Sequence, residues 1–379
     1  MLVARYQVRL KDNTGSVAAI WDDWRSLQYQ RKVNAGGFIT LILDGNDPRA
    51  MLLETDGQIE VLRAIPGLKD WYTDLDGIVE DFDDSTFENG NRQLTIVGSG
   101  LNSLLGRRDI AYRSDSAQAA KTGVAETVMK EYVNENVGPG ATSPPRLLAS
   151  GVMAGFAVEA DAAGGNAWTG NRSSRGLLEV CQEISNVGGV DFGVARTGAG
   201  AYEFRVYAGQ LGEDRTTAGL DYSTGLNAAG NPPVVFSLEL GNIASCTYSI
   251  KRRGAANAVY CFGQGQGAAR DVAVAQDLGD IASSPIARRE MARNGSSQDN
   301  AADLQQLAGE YLTQFAPSES FDFVPRFNEA TLYGLHFELG DRITAQYRGL
   351  SFNKRITGVT ISVGEKGESP PQLEMADIP

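Results

Sequence analysis

Residues 38–63 read FITLILDGNDPRAMLLETDGQIEVLR, and this stretch contains two separate indications of β-structure. Phe38–Leu43 is a continuous apolar run, which is typical of a strand that is buried on both faces. Further along, the dipeptide Asp56-Gly57 lies between two apolar segments, Met51–Thr55 and Gln58–Arg63. Asp-Gly between such segments predicts a β-hairpin with a two-residue turn. This part of the chain is therefore expected to be a sheet.

Strand patterns continue on both sides of this stretch. Ala4–Leu10 and Leu27–Val33 alternate between apolar and polar residues, as half-buried strands do. Leu75–Glu80 and Gln93–Val97 flank a loop that contains Asn89-Gly90. About seven strands without an intervening helix are therefore expected in the first hundred residues. This pattern is typical of a small antiparallel barrel or sandwich.

The middle of the chain has a mixed pattern. In Ala117–Val137 an apolar residue recurs every four positions, and Gly138-Pro139-Gly140 follows, which predicts an amphipathic helix with a clear end. Gly176–Asn186 shows a second helical pattern. Val190–Val194 and Tyr202–Tyr207 then indicate a pair of strands. A small α+β module is expected here.

The last third is again rich in strand patterns, apart from residues 287–315, whose pattern is mostly helical. The predicted strands are Val234–Leu240, Ala244–Ile250, Ala258–Phe262, Thr331–Phe337, Arg342–Tyr347 and Arg355–Val363, and the tail after Gly364 is a late strand or an arm. The order β, α+β, β predicts a β-rich α+β protein of several domains. Their expected limits are 1–105, 106–232 and 233–379, and the third carries the helical insertion near 287–315.

Charge and composition exclude several classes of protein. The net charge of -13 argues against a surface that grips nucleic acid, because such a surface needs clustered Lys and Arg. Three cysteines in 379 residues are too few for a disulfide framework. The first residues contain no apolar signal-peptide region, and no stretch is apolar enough to span a bilayer. Folding in a reducing cytoplasm is expected.

No residue is predicted to be catalytic, to hold a cofactor or to bind a metal. The single histidine, His336, is interpreted as a strand residue, and no nucleophile motif accompanies it. Gly263–Gly267 lacks the spacing of a phosphate loop and is interpreted as a strand end followed by a turn. Cys246 and Cys261 could face each other across a hairpin or be unrelated thiols, and the second alternative is favoured.

Six acidic residues form the best candidate for a metal site, although their spacing does not match that of an EF-hand. They are Asp74, Asp76, Glu80, Asp81, Asp83 and Asp84. A solvated strand end is the favoured interpretation of this run. Two carboxylates that meet in space could also serve a glycoside hydrolase, but nothing in the sequence marks a particular pair.

Several short blocks together resemble the siphophage tail-hub proteins, discontinuously from about residue 30 to residue 365. The blocks are Leu75–Glu80, Ile96–Arg108, Val234–Ser237, Gly241-Asn242, Asn257–Tyr260, Gly263–Gly267, Leu339–Asp341 and Arg355–Val359. The resemblance implies a fold similar to the baseplate hubs of contractile tails. It implies two antiparallel β-barrel domains like those of tail-tube subunits, with α+β regions between them, and a homotrimer with no enzymatic activity.

The same resemblance implies a function for the trimer. A ring of three chains with two barrels each would join a sixfold tail tube to a threefold tip, and the genome would pass through its lumen. Expected partners are a tail-tube or distal tail protein, fibre or spike proteins of the tip, and the tape-measure protein. The expected location is the tail tip of the virion, after assembly in the cytoplasm of the bacterial host. An acidic lumen would let DNA slide without sticking.

Three alternatives to a phage hub remain at the level of the sequence. The chain could be a tail-associated cell-wall hydrolase that uses carboxylates, or a β-rich adhesin that binds carbohydrate. It could also be the hub of a related bacterial injection device. Ring formation, cell-wall cleavage and glycan binding by the pure protein distinguish the first two from a hub.

Overall fold

The computed structural model describes residues 4–12, 14–296 and 301–378. The first region holds strands only, apart from a single 3-10 turn at Pro48–Leu52. Its strands are β1 (Arg5–Lys11), β2 (Val17–Trp21), β3 (Ser26–Lys32), β4 (Phe38–Asp44), β5 (Gln58–Ile65), β6 (Lys69–Thr86) and β7 (Arg92–Gly100). The expectation of about seven strands without an α-helix is confirmed.

The middle region mixes helices and short strands. Its elements are α1 (Ser103–Gly106), β8 (Ala120–Val124), α2 (Ala125–Asn136), β9 (Phe156–Val158), β10 (Ala167–Asn171), α3 (Leu177–Gly188), β11 (Val190–Gly198), β12 (Ala201–Ala208) and β13 (Asp214–Arg215). Helices α2 and α3 pack on each other, and their apolar faces share one core with β11 and β12. The small α+β module is therefore present.

The remaining elements are two further helices, a 3-10 turn at Gly267–Ala269 and ten strands. They are β14 (Val235–Ser237), β15 (Ile243–Lys251), β16 (Ala258–Phe262), β17 (Val272–Gln276), α4 (Leu278–Ala282), β18 (Glu290–Asn294), α5 (Ala301–Gln314), β19 (Ser318–Pro325), β20 (Arg342–Tyr347), β21 (Leu350–Gly364), β22 (Gly367–Glu368) and β23 (Gln372–Asp377). Among the described residues, no helix is long and apolar enough to cross a bilayer.

The chain divides into two compact units, one formed by Met1–Ala244 with Val324–Pro379 and the other by Ser245–Phe323. The first unit contains a 13-stranded sheet with the order β13-β20-β21-β3-β4-β7-β6-β5-β1-β2, on which β14, β22 and β23 are side branches. Strands from both ends of the chain meet in this sheet, because β21 pairs antiparallel with β3 from Gly358↔Lys32 to Gly364↔Ser26. Over the described residues the sheet is open, and no closed barrel is found.

The second unit is small. Its three-stranded sheet has the order β17-β16-β18, and β15 pairs with β19 in a separate two-stranded sheet. Helix α5 packs on one face of the three-stranded sheet, where Leu304 and Ala308 contact Val259, Cys261 and nearby alanines. The sequence predicted a largely helical segment over 287–315, but Glu290–Asn294 is a strand that pairs parallel with β16.

Four other local predictions are wrong. The Asp56-Gly57 hairpin does not form, since Pro48–Leu52 is a 3-10 turn and β5 pairs with β1 and β6 instead. Strand β14 covers three residues of the seven predicted. Thr331–Phe337 is a series of turns. Strand β4 has one buried face and one half-buried face, rather than two buried faces.

The predicted helix over Ala117–Val137 forms only in its second half. Ala120–Val124 is a strand that pairs antiparallel with β10, and α2 begins at Ala125. The pairing continues to the contact Ala167↔Val124, and the amide of Ala125 then donates to the carbonyl of Asn166. The helix therefore starts where the neighbouring strand ends. The division into domains 1–105, 106–232 and 233–379 stays a prediction.

Candidate functional site

A closed cluster of polar side chains surrounds Asp74, which lies on β6 and is 2% exposed. The hydroxyls of Tyr29 and Tyr333 donate to its carboxylate at 2.5 and 3.0 Å, and Arg31 Nη1 donates to it at 2.8 Å. Burial and the charge of Asp74 raise the pKa of Tyr29 well above its ordinary value, so this hydroxyl stays protonated. Asp74 is therefore a buried carboxylate with three charged or polar donors.

A second cation, Arg63 on β5, extends the cluster and is 4% exposed. Its Nε donates to Tyr6 Oη at 2.8 Å, and its Nη1 donates to Tyr72 Oη at 3.0 Å and to the carbonyl of Tyr333 at 2.7 Å. Its Nη2 forms an ion pair with Glu368 at 3.1 Å. The guanidinium thus connects β1, β5 and β6 with the loop around residue 333 and with β22.

Gly334 lets this loop approach the sheet. Its φ is +80°, and a Cβ atom at this position would collide with Tyr72 Oη and lie 2.8 Å from Arg63 Nη1. Next to it, Lys69 Nζ forms an ion pair with Glu338 at 3.0 Å and lies 3.9 Å from the centroid of the Tyr72 ring. The effect of the cluster is to fasten residues 331–341 to the N-terminal strands.

Asp341, the last residue of the Leu339–Asp341 block, has a comparable anchoring role and is 2% exposed. Its carboxylate accepts from the amides of Glu213 and Glu338 at 2.7 and 2.9 Å, and from Arg215 Nε at 2.9 Å. A carboxylate that satisfies two backbone amides and one guanidinium fixes the start of β20 to the segment around β13. The block is therefore structural.

Asp191 on β11 joins the α+β module to β21 and to the loop that follows β3. It forms an ion pair with Arg355 of β21 and accepts from Asn34 Nδ2 at 2.9 Å and from the amide of Leu211. Asn34 in turn accepts from the amide of Phe192 at 2.8 Å. The contacts of Asn34 with Asp191 and Phe192, and of Arg355 with Asp191, link residues that lie more than 150 positions apart in the chain.

The acidic run does not form a metal site in the structure. Asp74 belongs to the closed cluster, whereas Asp81 and Asp83 are exposed on the outer part of β6. Glu80 and Asp84 form ion pairs with Arg107 and Arg92. In the parts of the chain that the structure describes, no three His, Cys, Asp or Glu side chains are grouped so that they could hold a metal ion.

His336 lies in a turn, so its predicted place in a strand is wrong. Its Nδ1 accepts from the amide of Leu332 at 3.0 Å. Burial, together with the nearby charge of Arg215, lowers the pKa of this imidazole below its ordinary value. Because Nδ1 of His336 accepts this hydrogen bond from the backbone, the imidazole stabilises the turn.

Gly263–Gly267 follows the end of β16 and leads into the 3-10 turn Gly267–Ala269, as expected for a strand end and turn. Gly265 and Gly267 have φ values of +94° and +58°. Arg270 Nε donates to the carbonyl of Gly263 at 3.0 Å. The glycines therefore serve a tight chain reversal.

Glu60 and Asp76 are the pair of acids that best fits the hydrolase alternative, since they lie directly opposite each other on β5 and β6. Burial raises the pKa of Asp76, whereas the pKa of Glu60 is lowered because bonds from Thr73 and Lys11 outweigh the effect of its burial. Opposite shifts of this kind occur in acid–base pairs. However, both carboxylates already have a cationic partner: Asp76 pairs with Arg196 at 2.9 Å, and Glu60 pairs with Lys11 at 3.1 Å.

A groove of about 440 Å³ lies beside α2, and Glu131, Glu159 and Asp161 are among the residues that line it. The hydrogen bonds next to this groove stabilise the fold. The buried Glu126 next to it accepts from Lys130 Nζ at 2.6 Å and from the amides of Ala162 and Gly164. Although burial opposes them, these bonds hold the pKa of Glu126 below its ordinary value. An acid catalyst would need the opposite shift. Neither Glu60 nor Asp76 lines this groove.

The three cysteines are free thiols. Cys246 and Cys261 do not face each other across a hairpin, because β15 pairs with β19 while β16 pairs with β17 and β18. Cys181 and Cys261 are buried, and burial raises the pKa of both thiols. Cys246 is half-buried.

We expect one fast-reacting thiol in the native protein. A thiol reagent such as DTNB should label Cys246 in the folded chain and should reach Cys181 and Cys261 only in denaturant. The Cys246→Ser variant is the control, and it should show no fast phase. Rapid labelling of two or three thiols in the folded protein would contradict the burial described above.

Comparisons with known proteins show which family the chain resembles. The model of the Siphovirus ReqiPepy6 Gp37-like protein family matches residues 7–374. No curated protein matches the chain. Among solved structures, the tail protein from Neisseria meningitidis MC58 is similar in fold, with 14% identity and a TM-score of 0.54, over 99% of this chain and 97% of that one.

Two other solved structures share the fold. The prophage MuSo2 43 kDa tail protein from Shewanella oneidensis has 12% identity and a TM-score of 0.56, over 99% of this chain and 98% of that one. A chain of the Francisella PdpA–VgrG complex has 9% identity and a TM-score of 0.50, over 99% of this chain and 53% of that one. The expected similarity to phage tail-hub folds is therefore confirmed, together with the β-rich character of the chain.

Proposed function

Because the chain belongs to the Siphovirus ReqiPepy6 Gp37-like protein family, we propose that it is a structural hub subunit of a phage tail tip or baseplate. The observation that carries this proposal is the family match, which spans nearly the whole chain. The fold that it shares with two solved tail proteins over 99% of its length supports the same role. The anchoring contacts of Asp74, Asp191 and Asp341 suit a rigid part of an assembly.

In this proposal three chains form a ring that joins the sixfold tail tube to the threefold tip. The predicted domains 1–105 and 233–379 act as the two tube-like units, with 106–232 between them. The open sheet supports the idea that closure, where it occurs, involves other chains, since a free sheet edge is a ready site for pairing. The net charge of -13 suits a lumen through which DNA slides.

The proposed partners are the tail-tube or distal tail protein on one side of the ring and fibre or spike proteins on the other. The tape-measure protein and then the genome would occupy the lumen. The subunit would act through shape and oligomerisation, without catalysis, and would be assembled in the host cytoplasm. The fold shared with a chain of the Francisella PdpA–VgrG complex favours one alternative, the hub of a bacterial injection device.

We expect the purified chain to form a ring with three times the subunit mass of 40.5 kDa, measured by light scattering. The measurement is made on the chain alone over a range of concentrations and then with purified tail-tube protein, because some rings close only on their partners. A chain that stays monomeric under both conditions would contradict the hub. Cleavage of cell walls by the pure protein, lost in Asp76→Asn, would favour the hydrolase alternative.

A further inference from the structure

The outer half of β6 and the turn that joins it to β7 run past the end of β5, and residues 81–91 are defined here as the acidic arm. Every residue of the acidic arm is exposed. Its acidic residues are Asp81, Asp83, Asp84 and Glu88. The pairing of β5 with β6 stops at Ile78, so the outer edge of the arm has no strand partner among the described residues.

The acidic arm also exposes two aromatic rings. Phe82 is 44% exposed and Phe87 is 49% exposed. Acidic residues alone would be explained by the need to keep a free edge from pairing with other chains. Exposed phenylalanines have the opposite effect, because they favour contact with an apolar surface. The combination of acids and aromatic rings indicates a surface that is covered in an assembly.

A second surface of the same chain has the opposite charge. This basic patch consists of Arg108, Arg146, Leu147, Leu148 and Val152. Leu147, Leu148 and Val152 are 56%, 59% and 44% exposed. Within residues 4–12, 14–296 and 301–378, neither arginine forms an ion pair with a carboxylate, and neither Nε atom has a hydrogen-bond partner.

The neighbouring arginines differ from this pair. Arg107 forms ion pairs with Asp56 and Glu80, and Arg113 forms ion pairs with Asp115 and Glu135. The distances between the charged atoms are 2.6 to 3.2 Å. Arg108 and Arg146 therefore differ from Arg107 and Arg113 in having no carboxylate partner among the described residues.

Arg108 and Arg146 lie close enough to repel each other. Burial and the charge of Arg108 lower the pKa of Arg146, and Asp109 offsets this only in part. Gly151 leaves room for Arg146, because a Cβ atom there would collide with the guanidinium and would lie 2.7 Å from the carbonyl oxygen of Asn136. The two guanidinium groups donate to backbone carbonyls, of Arg107 at 3.4 Å and of Asp109 at 3.2 Å. A carboxylate supplied from outside would relieve the repulsion and add the charged acceptor that both groups lack.

We propose that the acidic arm of one copy of this chain docks on the basic patch of a second copy. Carboxylates of the arm would bind Arg108 and Arg146, and Phe82 or Phe87 would pack on Leu147, Leu148 and Val152. The two surfaces differ, so the contact is head-to-tail, and the proposed trimer requires that the rotation between neighbouring copies closes the ring after three of them. This inference rests on the proposed hub and identifies the contact that holds its subunits together.

The chemistry of the basic patch fits a protein better than nucleic acid. Two arginines beside three exposed aliphatic residues offer few phosphate contacts, whereas a nucleic-acid surface needs many basic groups. An arm with both carboxylates and phenyl rings matches the charge and the apolar area of the patch. A second copy supplies such an arm in every ring.

The test uses charge reversal on the full chain. The patch variant carries Arg108→Glu and Arg146→Glu, the arm variant carries Asp83→Lys and Glu88→Lys, and a third chain carries all four changes. We expect each reversal alone to raise the concentration needed for half assembly by about tenfold or more, since opposed like charges are strongly unfavourable in an interface. The fourfold variant should assemble again, because its charges are complementary.

Control variants keep the change in net charge the same. Glu329→Lys with Glu365→Lys matches the arm variant, and Arg5→Glu with Lys366→Glu matches the patch variant, all at exposed positions outside the two surfaces. These controls should assemble like the unchanged chain. If the patch variant fails to fold by circular dichroism, the neutral pair Arg108→Gln and Arg146→Gln replaces it, and we expect a smaller loss of assembly.

The outcomes separate this inference from the proposed hub. A ring of unchanged chains that neither reversal weakens would overturn the arm–patch contact and leave the hub in place. Loss of assembly in both single reversals without recovery in the fourfold variant would also overturn the contact. An unchanged chain that stays monomeric, alone and with tail-tube protein, would overturn both.

Discussion

The Asp74→Ala variant is expected to lose about 3–5 kcal/mol of the free energy of unfolding, because removal of one partner of a buried ion pair leaves an uncompensated charge. Arg31 would lose its carboxylate at 2.8 Å, and the hydroxyls of Tyr29 and Tyr333 would lose their common acceptor. Urea unfolding followed by circular dichroism measures this loss. The released loop at residues 331–341 should also become more sensitive to protease.

A matched set of variants tests whether the cluster acts as a unit. Asp74→Asn keeps the shape of the side chain and should lose less than Asp74→Ala. Tyr29→Phe in the Asp74→Asn background should lose less than Tyr29→Phe in the unchanged chain, because its hydrogen-bond partner is already altered. The exposed Asp81→Ala should change stability by less than about 0.5 kcal/mol. A loss below about 1 kcal/mol for Asp74→Ala would contradict the anchoring role of the cluster.

The second large effect is expected at Asp341. Asp341→Ala removes the acceptor of two backbone amides and of Arg215 Nε, all within 2.9 Å. Hydrogen bonds that involve a charged group contribute about 1.5–3 kcal/mol each, and they are not additive, so we expect a total loss of about 3–4 kcal/mol in urea unfolding.

Two results would distinguish this role from a general effect on folding. Asp341→Asn keeps an acceptor for one amide and should recover part of the loss. The segment around residues 211–215 should be cleaved faster by protease in Asp341→Ala, because its link to the start of β20 is gone. Equal protease resistance of the variant and the unchanged chain would contradict the proposed link.

Several elements follow from local sequence patterns, and β1 shows this most clearly because its burial alternates with period two. Tyr6, Val8 and Leu10 are buried in β1 as predicted, and the limits of β16 and β20 agree with the predicted strands. In a strand of this kind, the alternation of apolar and polar residues indicates directly which side chains are buried. The position of α3 was predictable for a different reason, because Leu177, Cys181 and Ile184 recur at helical spacing and are all buried.

Other elements depend on distant partners and could not be predicted locally. Ala120–Val124 fits the helical spacing of α2, but pairing with β10 makes it a strand. The joining of β3 and β21 in one sheet depends on residues more than 320 positions apart, which no local pattern reports. Tertiary pairing overrides local preference at such positions.

The candidate site shows the same limit. Asp74 was identified as part of an acidic run, but its partners Arg31 and Tyr333 lie 43 and 259 positions away in the chain. A single sequence gives no indication that these residues meet. A metal site was considered because the sequence shows the cluster of acidic residues, whereas it does not show which arginines pair with them in the fold.

The pairing of β3 with β21 also sets an order of events during translation. Strand β3 leaves the ribosome more than 300 residues before β21, so it lacks one edge contact throughout the synthesis of the intervening chain. A chain released early would lack β21 and could not complete the main sheet. Until β21 has been made, the open edge of β3 is therefore a site at which another chain can pair.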